Sequence, residues 1–234
     1  RFNKNNSSAL TKIIEKLLQV EELQRVRLSS IEGTEIDEKM IDLIAENDLF
    51  CSHLHLPLQS GSNKILKAMK RPYTVEEFRE TAAEIREKIP EIAITTDVIV
   101  GFPGETRESF EQTLKVVEEI AFSKVHVFPF SAREGTPAAE MKNKVNGNII
   151  KDYSRELREL NQELMLSYQE QFIGRSKDVL IEEERDHNTG LLTGYTDNYL
   201  KVLAEGNDSA MNKLKKIKLT QSEDHAHVRG KIIK

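Results

Sequence analysis

Tryptophan is absent from the 234 residues, cysteine occurs once, and no apolar run approaches the ~20 residues of a membrane-spanning helix. The lone Cys51 excludes an internal disulfide and any thiolate metal cluster assembled from this chain alone. One thiol and no signal-peptide pattern point to a reducing, cytoplasmic setting away from membranes. The chain opens on Arg1-Phe2-Asn3 without an initiator Met, which reads as a piece of something longer. A strong excess of positive charge is also missing, since 34 Lys and Arg face 39 Asp and Glu. The acidity is uneven: residues 171–234 hold 11 basic against 10 acidic residues, so the net charge of −5 comes from the front. A basic stripe for nucleic acid therefore has to be sought in the tail.

What is present in the front part is alternation. Gln24–Ser29, Ser52–Leu58, Ile92–Val100 and Lys124–Phe130 are short apolar runs of β type. Between them, 10–23, 36–44, 75–89 and 108–120 carry apolar residues at three-and-four spacing, and Thr74 with Glu77 predicts a capping box. This order predicts βα units around a parallel sheet. A long helix is predicted over 149–172, with Tyr153, Leu157, Leu160, Leu164 and Tyr168 on one stripe. After Gly174 the period changes to two, and 179–182, 191–195, 199–203, 216–220 and 228–232 predict five short strands of a small β-barrel.

Four stretches carry candidate chemistry. Asp97 to Thr106 ends a strand in Gly101 and Gly104 and opens a helix, so backbone can approach a ligand at the carboxyl end of the sheet; the alternative is plain turn geometry. His53 and His55 share one strand face, and His126 can join from a neighbouring strand. No third ligand is evident to the two imidazoles, so no metal site is assigned; a layer of hydrogen-bonded histidines is the competing reading. Gln59, Ser60 and Gly61 lie just past that strand with groups suited to a ribose or an amino acid, unless the serines only cap a helix. Arg133 follows the fourth run, where it can clamp a carboxylate or phosphate, or pair with Glu134 or Glu105. Ser30 and Glu32 lie on the same rim. In the tail, Lys213, Lys215, Lys216 and Lys218 suit a phosphate backbone, with Tyr195 and Tyr199 as stacking platforms, although lysines also guard exposed strand edges.

Three segments, HLHLPLQSGSNKILKAMKRPYT (53–74), TTDVIVGFPGETRESFEQT (95–113) and KVHVFPFSAREGTPAAEM (124–141), closely resemble the radical S-adenosylmethionine methylthiotransferases. HVFPFSAREGT and RVRLSSIE are most similar to the branch acting on N6-threonylcarbamoyladenosine in tRNA, with the isopentenyladenosine branch as the alternative. The resemblance implies an α/β fold: the last four strands of a radical SAM (βα) barrel over 1–170 with its long linking helix, then an RNA-binding TRAM barrel over 171–234. It implies S-adenosylmethionine and [4Fe-4S] clusters as cofactors and tRNA as partner. The cluster-binding CxxxCxxC loop is not in this chain, so the piece alone is expected to be inactive. Carried over residue by residue, Gln59, Ser60 and Gly61 face the methionine or ribose part of the cofactor, Asp97 and Gly101 the adenosine, and Phe128 and Arg133 the mouth. Ser30 and Glu32 are the substrate-side candidates. Strand 24–29, without its barrel neighbour, is expected to self-associate or to be covered by a loop. The rivals are a stand-alone RNA-binding module on a degenerate barrel, and a barrel enzyme using 101–105 as a phosphate loop.

Overall fold

The computed structural model describes residues 9–233, so the Arg1-Phe2-Asn3 opening lies outside it. Two α-helices come first, α1 (Ala9–Leu17) and α2 (Glu38–Glu46), the second capped by the Asp37 carboxylate accepting from Met40 N–H at 2.8 Å. The first ends earlier than its periodicity predicts, because the apolar stripe stops at Leu18 and Val20 has nothing to pack on, being 51% exposed.

Three parallel strands follow in the order β1 (His53–His55), β2 (Ala93–Val100) and β3 (Lys124–Pro129). They are linked by α3 (Asn63–Ala68) and α4 (Val75–Lys88), then by α5 (Arg107–Ile120). The Thr74–Glu77 box forms at the start of α4 as predicted. The first strand is shorter than its sequence run because Pro57 has no N–H to donate. Beyond it Leu58 N–H turns to the Thr96 hydroxyl, and Gln59 N–H returns to the Asp97 carbonyl.

Pleating sorts the sheet residues between two faces. Leu54, Leu56, Leu58, Ile94, Val98, Val100 and Val125 join Phe78, Ile85, Phe110, Val117 and Phe122 in one apolar core. His53, His55, Thr95, Asp97, His126 and Phe128 occupy the opposite, concave side.

The first predicted strand, 24–29, is not a strand. It makes a single bridge, Val26 to Phe50, with further bonds from Val26 N–H to Leu49 O and from Ile31 N–H to His55 O. Its arginines are drawn elsewhere: Arg25 donates to the carbonyls of Tyr195 and Asp178, and Arg27 to that of Thr196 at 2.9 Å. Residues 24–31 thus lie along the outer edge of β1 and cover it in part, tied to both the sheet and the tail.

A short α6 (Pro137–Glu140) and the 24-residue α7 (Gly147–Glu170) lead out of the sheet. Tyr153 of α7 stacks on Phe110, with ring centroids 4.0 Å apart, and Leu157 is fully buried, so the predicted stripe faces the core. The tail is a closed barrel in the order β4-β5-β6-β8-β7, from β4 (Ser176–Arg185), β5 (Leu192–Thr196), β6 (Lys201–Glu205), β7 (Leu214–Ser222) and β8 (Val228–Ile232). Phe172, Val179, Ile181, Leu192, Val202, Ile217, Leu219 and Val228 fill it.

Candidate functional site: the concave sheet face and the closed barrel

The two histidines of β1 do not converge on one ion. Both rings turn to Thr95 on β2: His53 Nε2 lies 3.0 Å and His55 Nδ1 2.9 Å from its hydroxyl. His53 is buried and stacked on Tyr199 of the closed barrel. Its pKa is pushed down to about 3, first by burial and then by the Arg27 guanidinium, so it is a neutral packing residue. His55 points its other nitrogen to Asp97, with Nε2 to Oδ1 at 3.3 Å. The parallel register sets Asp97 directly opposite His126 on β3. Ligand-type atoms of His55, Asp97 and His126 all lie within 4.8 Å of one another. Asp97 thus adds a third ligand-type side chain that spacing alone did not reveal, and His53 stands outside this group. Burial lowers the His126 pKa, and Lys124 adds to the effect.

Past β1, Gln59 takes φ +64° and is buried, its backbone N–H bonded to Asp97 O and its carbonyl to Ile99 N–H. Ser60 and Gly61 press on α5: the Ser60 hydroxyl meets the Thr113 hydroxyl at 3.4 Å, and Gly61 N–H donates to it at 3.0 Å. A Cβ on Gly61 would come within 2.5 Å of the Thr113 Cα.

Beyond β2, Gly101 sits at φ +79° with the Ile150 side chain where a Cβ would be. Its N–H donates to the Glu105 carboxylate, and the Thr106 hydroxyl caps α5. A phosphate loop would need that N–H free; here the Glu105 carboxylate accepts it, and the Thr106 hydroxyl takes the Ser109 N–H, which weighs against the phosphate-loop reading. Glu105 is itself buried, and among the described residues its Oε1 has no hydrogen-bond partner. Burial drives its pKa up to about 7 against the single Gly101 bond.

The remaining rim residues are more open. Phe128 is 49% exposed on the concave side. Arg133 is exposed, and among the described residues no carboxylate stands within ion-pair distance of it. Ser30 is exposed, while Glu32 pairs with Arg71 at 3.0 Å and caps the turn 33–35.

The tail lysines do not share one face. Lys216 and Lys218 project outward, between Ile217 and Leu219 that point in. Lys215 is half-buried and the Lys213 ammonium donates to Ser209 O. The register adds a lysine that spacing alone does not reveal: Lys231 of β8 stands opposite Lys218. Two like charges side by side repel unless an anion joins them. Tyr195 and Tyr199 are not free platforms. They stack on each other at 4.9 Å, and Tyr199 also meets His53 and the Arg27 guanidinium.

Residues 5–117 match the Radical SAM superfamily. The chain is 39% identical over 206 residues to the threonylcarbamoyladenosine tRNA methylthiotransferase MtaB of Bacillus subtilis, covering 87% of this chain and 46% of that protein. Through residues 5–117 the chain is similar to the radical SAM superfamily. A tRNA-2-methylthio-N(6)-dimethylallyladenosine synthase of Geobacillus kaustophilus is also 39% identical, over 202 residues, covering 86% of this chain and 38% of that protein. The chain therefore spans less than half the length of these two relatives. Among solved structures, Escherichia coli coproporphyrinogen III oxidase (HemN) superposes with a TM-score of 0.53 at 21% identity, over 66% of this chain and 36% of that one, a likeness of fold.

Radical SAM enzymes hold a [4Fe-4S] cluster on thiolates. This chain does not fit that group: Cys51 is its one cysteine, it is 1% exposed, and burial pushes its thiol pKa up, away from the thiolate. On the sheet face shared by Asp97 and Phe128, the carboxylate is partly exposed and the ring is open.

Proposed function

We propose that the chain works as part of a tRNA methylthiotransferase that converts N6-threonylcarbamoyladenosine beside the anticodon to its 2-methylthio derivative. The observation that carries the reading is the 39% identity to MtaB along 206 residues, a span that runs past the superfamily match into the closed barrel. In this reading 1–170 is the last part of the catalytic barrel and 171–234 is a TRAM-type domain that grips tRNA. In this reading the cofactor surface is formed by Gln59, Asp97, Phe128 and Arg133, with Ser60, Gly61 and Gly101 packed behind it, and Ser30 and Glu32 face the substrate. S-adenosylmethionine, on clusters whose ligands this chain lacks, supplies the one-electron chemistry and the methyl group.

The chain's own residues bind and orient. Asp97 offers carboxylate oxygens to ribose hydroxyls, Phe128 a ring face, and Arg133 an unpaired guanidinium at the rim. Ser60 and Gly61 act through α5, fixing the loop that carries Gln59. The chain by itself is inactive in this account, and its setting is the cytoplasm; among the described residues no helix is long and apolar enough to cross a membrane. A second copy of the chain is the proposed partner for the outer edge of residues 24–29. The equal identity to a dimethylallyladenosine synthase supports a second reading, with the isopentenyl-type adenosine as substrate.

Binding to tRNA tests the grip. Replacing Lys216, Lys218 and Lys231 together by Ala is expected to weaken tRNA binding and to flatten the dependence of log K on log salt by about 1 for each lysine that meets a phosphate. Lys213→Ala and Lys215→Ala, at tethered or half-buried positions, are expected to do less. An unchanged salt slope in the triple variant would remove the closed barrel from the tRNA interface.

A further inference from the structure

The His55, Asp97 and His126 cluster is built as more than a single polar contact. Each side chain comes from a different strand of one parallel sheet, so the backbone ladder fixes their spacing. The Thr95 hydroxyl holds His55 Nδ1 at 2.9 Å, which leaves Nε2 as the nitrogen facing Asp97. Outer-shell bonds of this kind orient imidazoles that ligate metals. Bonds of about 2.0–2.1 Å to a tetrahedral ion set neighbouring ligand atoms about 3.3 Å apart. The separation of His55 Nε2 from Asp97 Oδ1 is 3.3 Å. His126 needs to close in from within 4.8 Å, and its side chain is half-buried at the open, concave side.

We infer that His55, Asp97 and His126 form a three-ligand site for a divalent first-row transition metal on the concave face. Two imidazoles and one carboxylate suit Zn²⁺, Co²⁺, Ni²⁺ or Fe²⁺, whereas Mg²⁺ and Ca²⁺ call for all-oxygen shells. Three protein ligands leave a coordination position open to water or to a donor atom of a bound molecule. The inference does not rest on the methylthiotransferase reading. The two meet at Asp97, so an ion and the proposed cofactor compete for that carboxylate.

The test uses Zn²⁺ and Co²⁺ with the 234-residue chain at neutral pH. Calorimetric titration with Zn²⁺ is expected to give one site per chain, and Co²⁺ at that site to give visible ligand-field bands. Asp97→Asn and His126→Gln are each expected to abolish stoichiometric uptake. Thr95→Val should weaken it about 10- to 100-fold by freeing the His55 ring. A chain with both His225→Asn and His227→Asn should bind as the parent does, which separates the site from the surface pair of His227 with Asp224. X-ray absorption on the Zn²⁺-loaded parent chain does not depend on any variant folding. It should show two imidazole nitrogens and a carboxylate oxygen at about 2.0–2.1 Å. Absence of stoichiometric uptake, uptake untouched by Asp97→Asn and His126→Gln, or a shell lacking imidazole would each overturn the site and leave His55 and Asp97 as a plain polar contact.

Discussion

Gly61→Ala is expected to destabilise the protein by about 3 kcal/mol, the upper end of what overpacking a rigid contact costs. The added methyl would stand 2.5 Å from the Thr113 Cα and 2.9 Å from the Gln112 carbonyl oxygen, both backbone of α5, so no side chain can swing aside. Either α5 moves away from the sheet or the Gln59–Ser60 loop lifts off it, and the loop carries Gln59. Gly104→Ala is the matched comparison. It has nothing within 4 Å and sits at φ +89°, so it meets only backbone strain of about 1 kcal/mol. Urea unfolding of the two variants measures the difference, and equal losses would show that the close approach of Gly61 to α5 is not a tight contact.

Glu105 gives the largest expected dependence on pH. Its folded pKa of about 7 lies above the ordinary value of 4.5 because burial disfavours the carboxylate, so the folded state holds the proton longer than the unfolded chain does. A raised folded pKa means stability that is fully present below 4.5, is lost as pH climbs, and is gone once pH passes 7. At about 1.4 kcal/mol per pKa unit the loss amounts to about 3 kcal/mol. Glu105→Gln keeps an oxygen to accept the Gly101 N–H and removes the titration. The unfolding free energy of the parent should fall relative to this variant between pH 4.5 and 7.5, and parallel curves would show that Glu105 does not titrate there.

Much of the local structure was legible because its causes are local. Thr74 and Glu77 form their box, Tyr153 and Leu157 bury the predicted stripe, and the alternation of Ile217 and Leu219 with Lys216 and Lys218 fixes an inward and an outward side. What was not legible depends on partners distant in sequence. Residues 24–29 have the composition of a strand, yet Arg25 and Arg27 are spent on carbonyls of the closed barrel, and only one bridge to Phe50 remains. Asp97 joins His126 through strand register, which spacing cannot reveal, and Lys231 meets Lys218 in the same way. Tyr195 and Tyr199 have the chemistry of base-stacking platforms, but their rings are used to dock the barrel on His53 and Arg27. The long separations in each case put the decisive contact beyond any local pattern.

Methylthiolation of threonylcarbamoyladenosine in tRNA is the reaction proposed for the protein that contains this chain. Its most direct test is mass spectrometry of nucleosides from tRNA of cells with and without the gene that encodes the chain. The account predicts that loss of the gene leaves N6-threonylcarbamoyladenosine without its 2-methylthio derivative while the methylthiolated isopentenyl-type adenosine is unchanged. Unaltered levels of the 2-methylthio-threonylcarbamoyl nucleoside would contradict it.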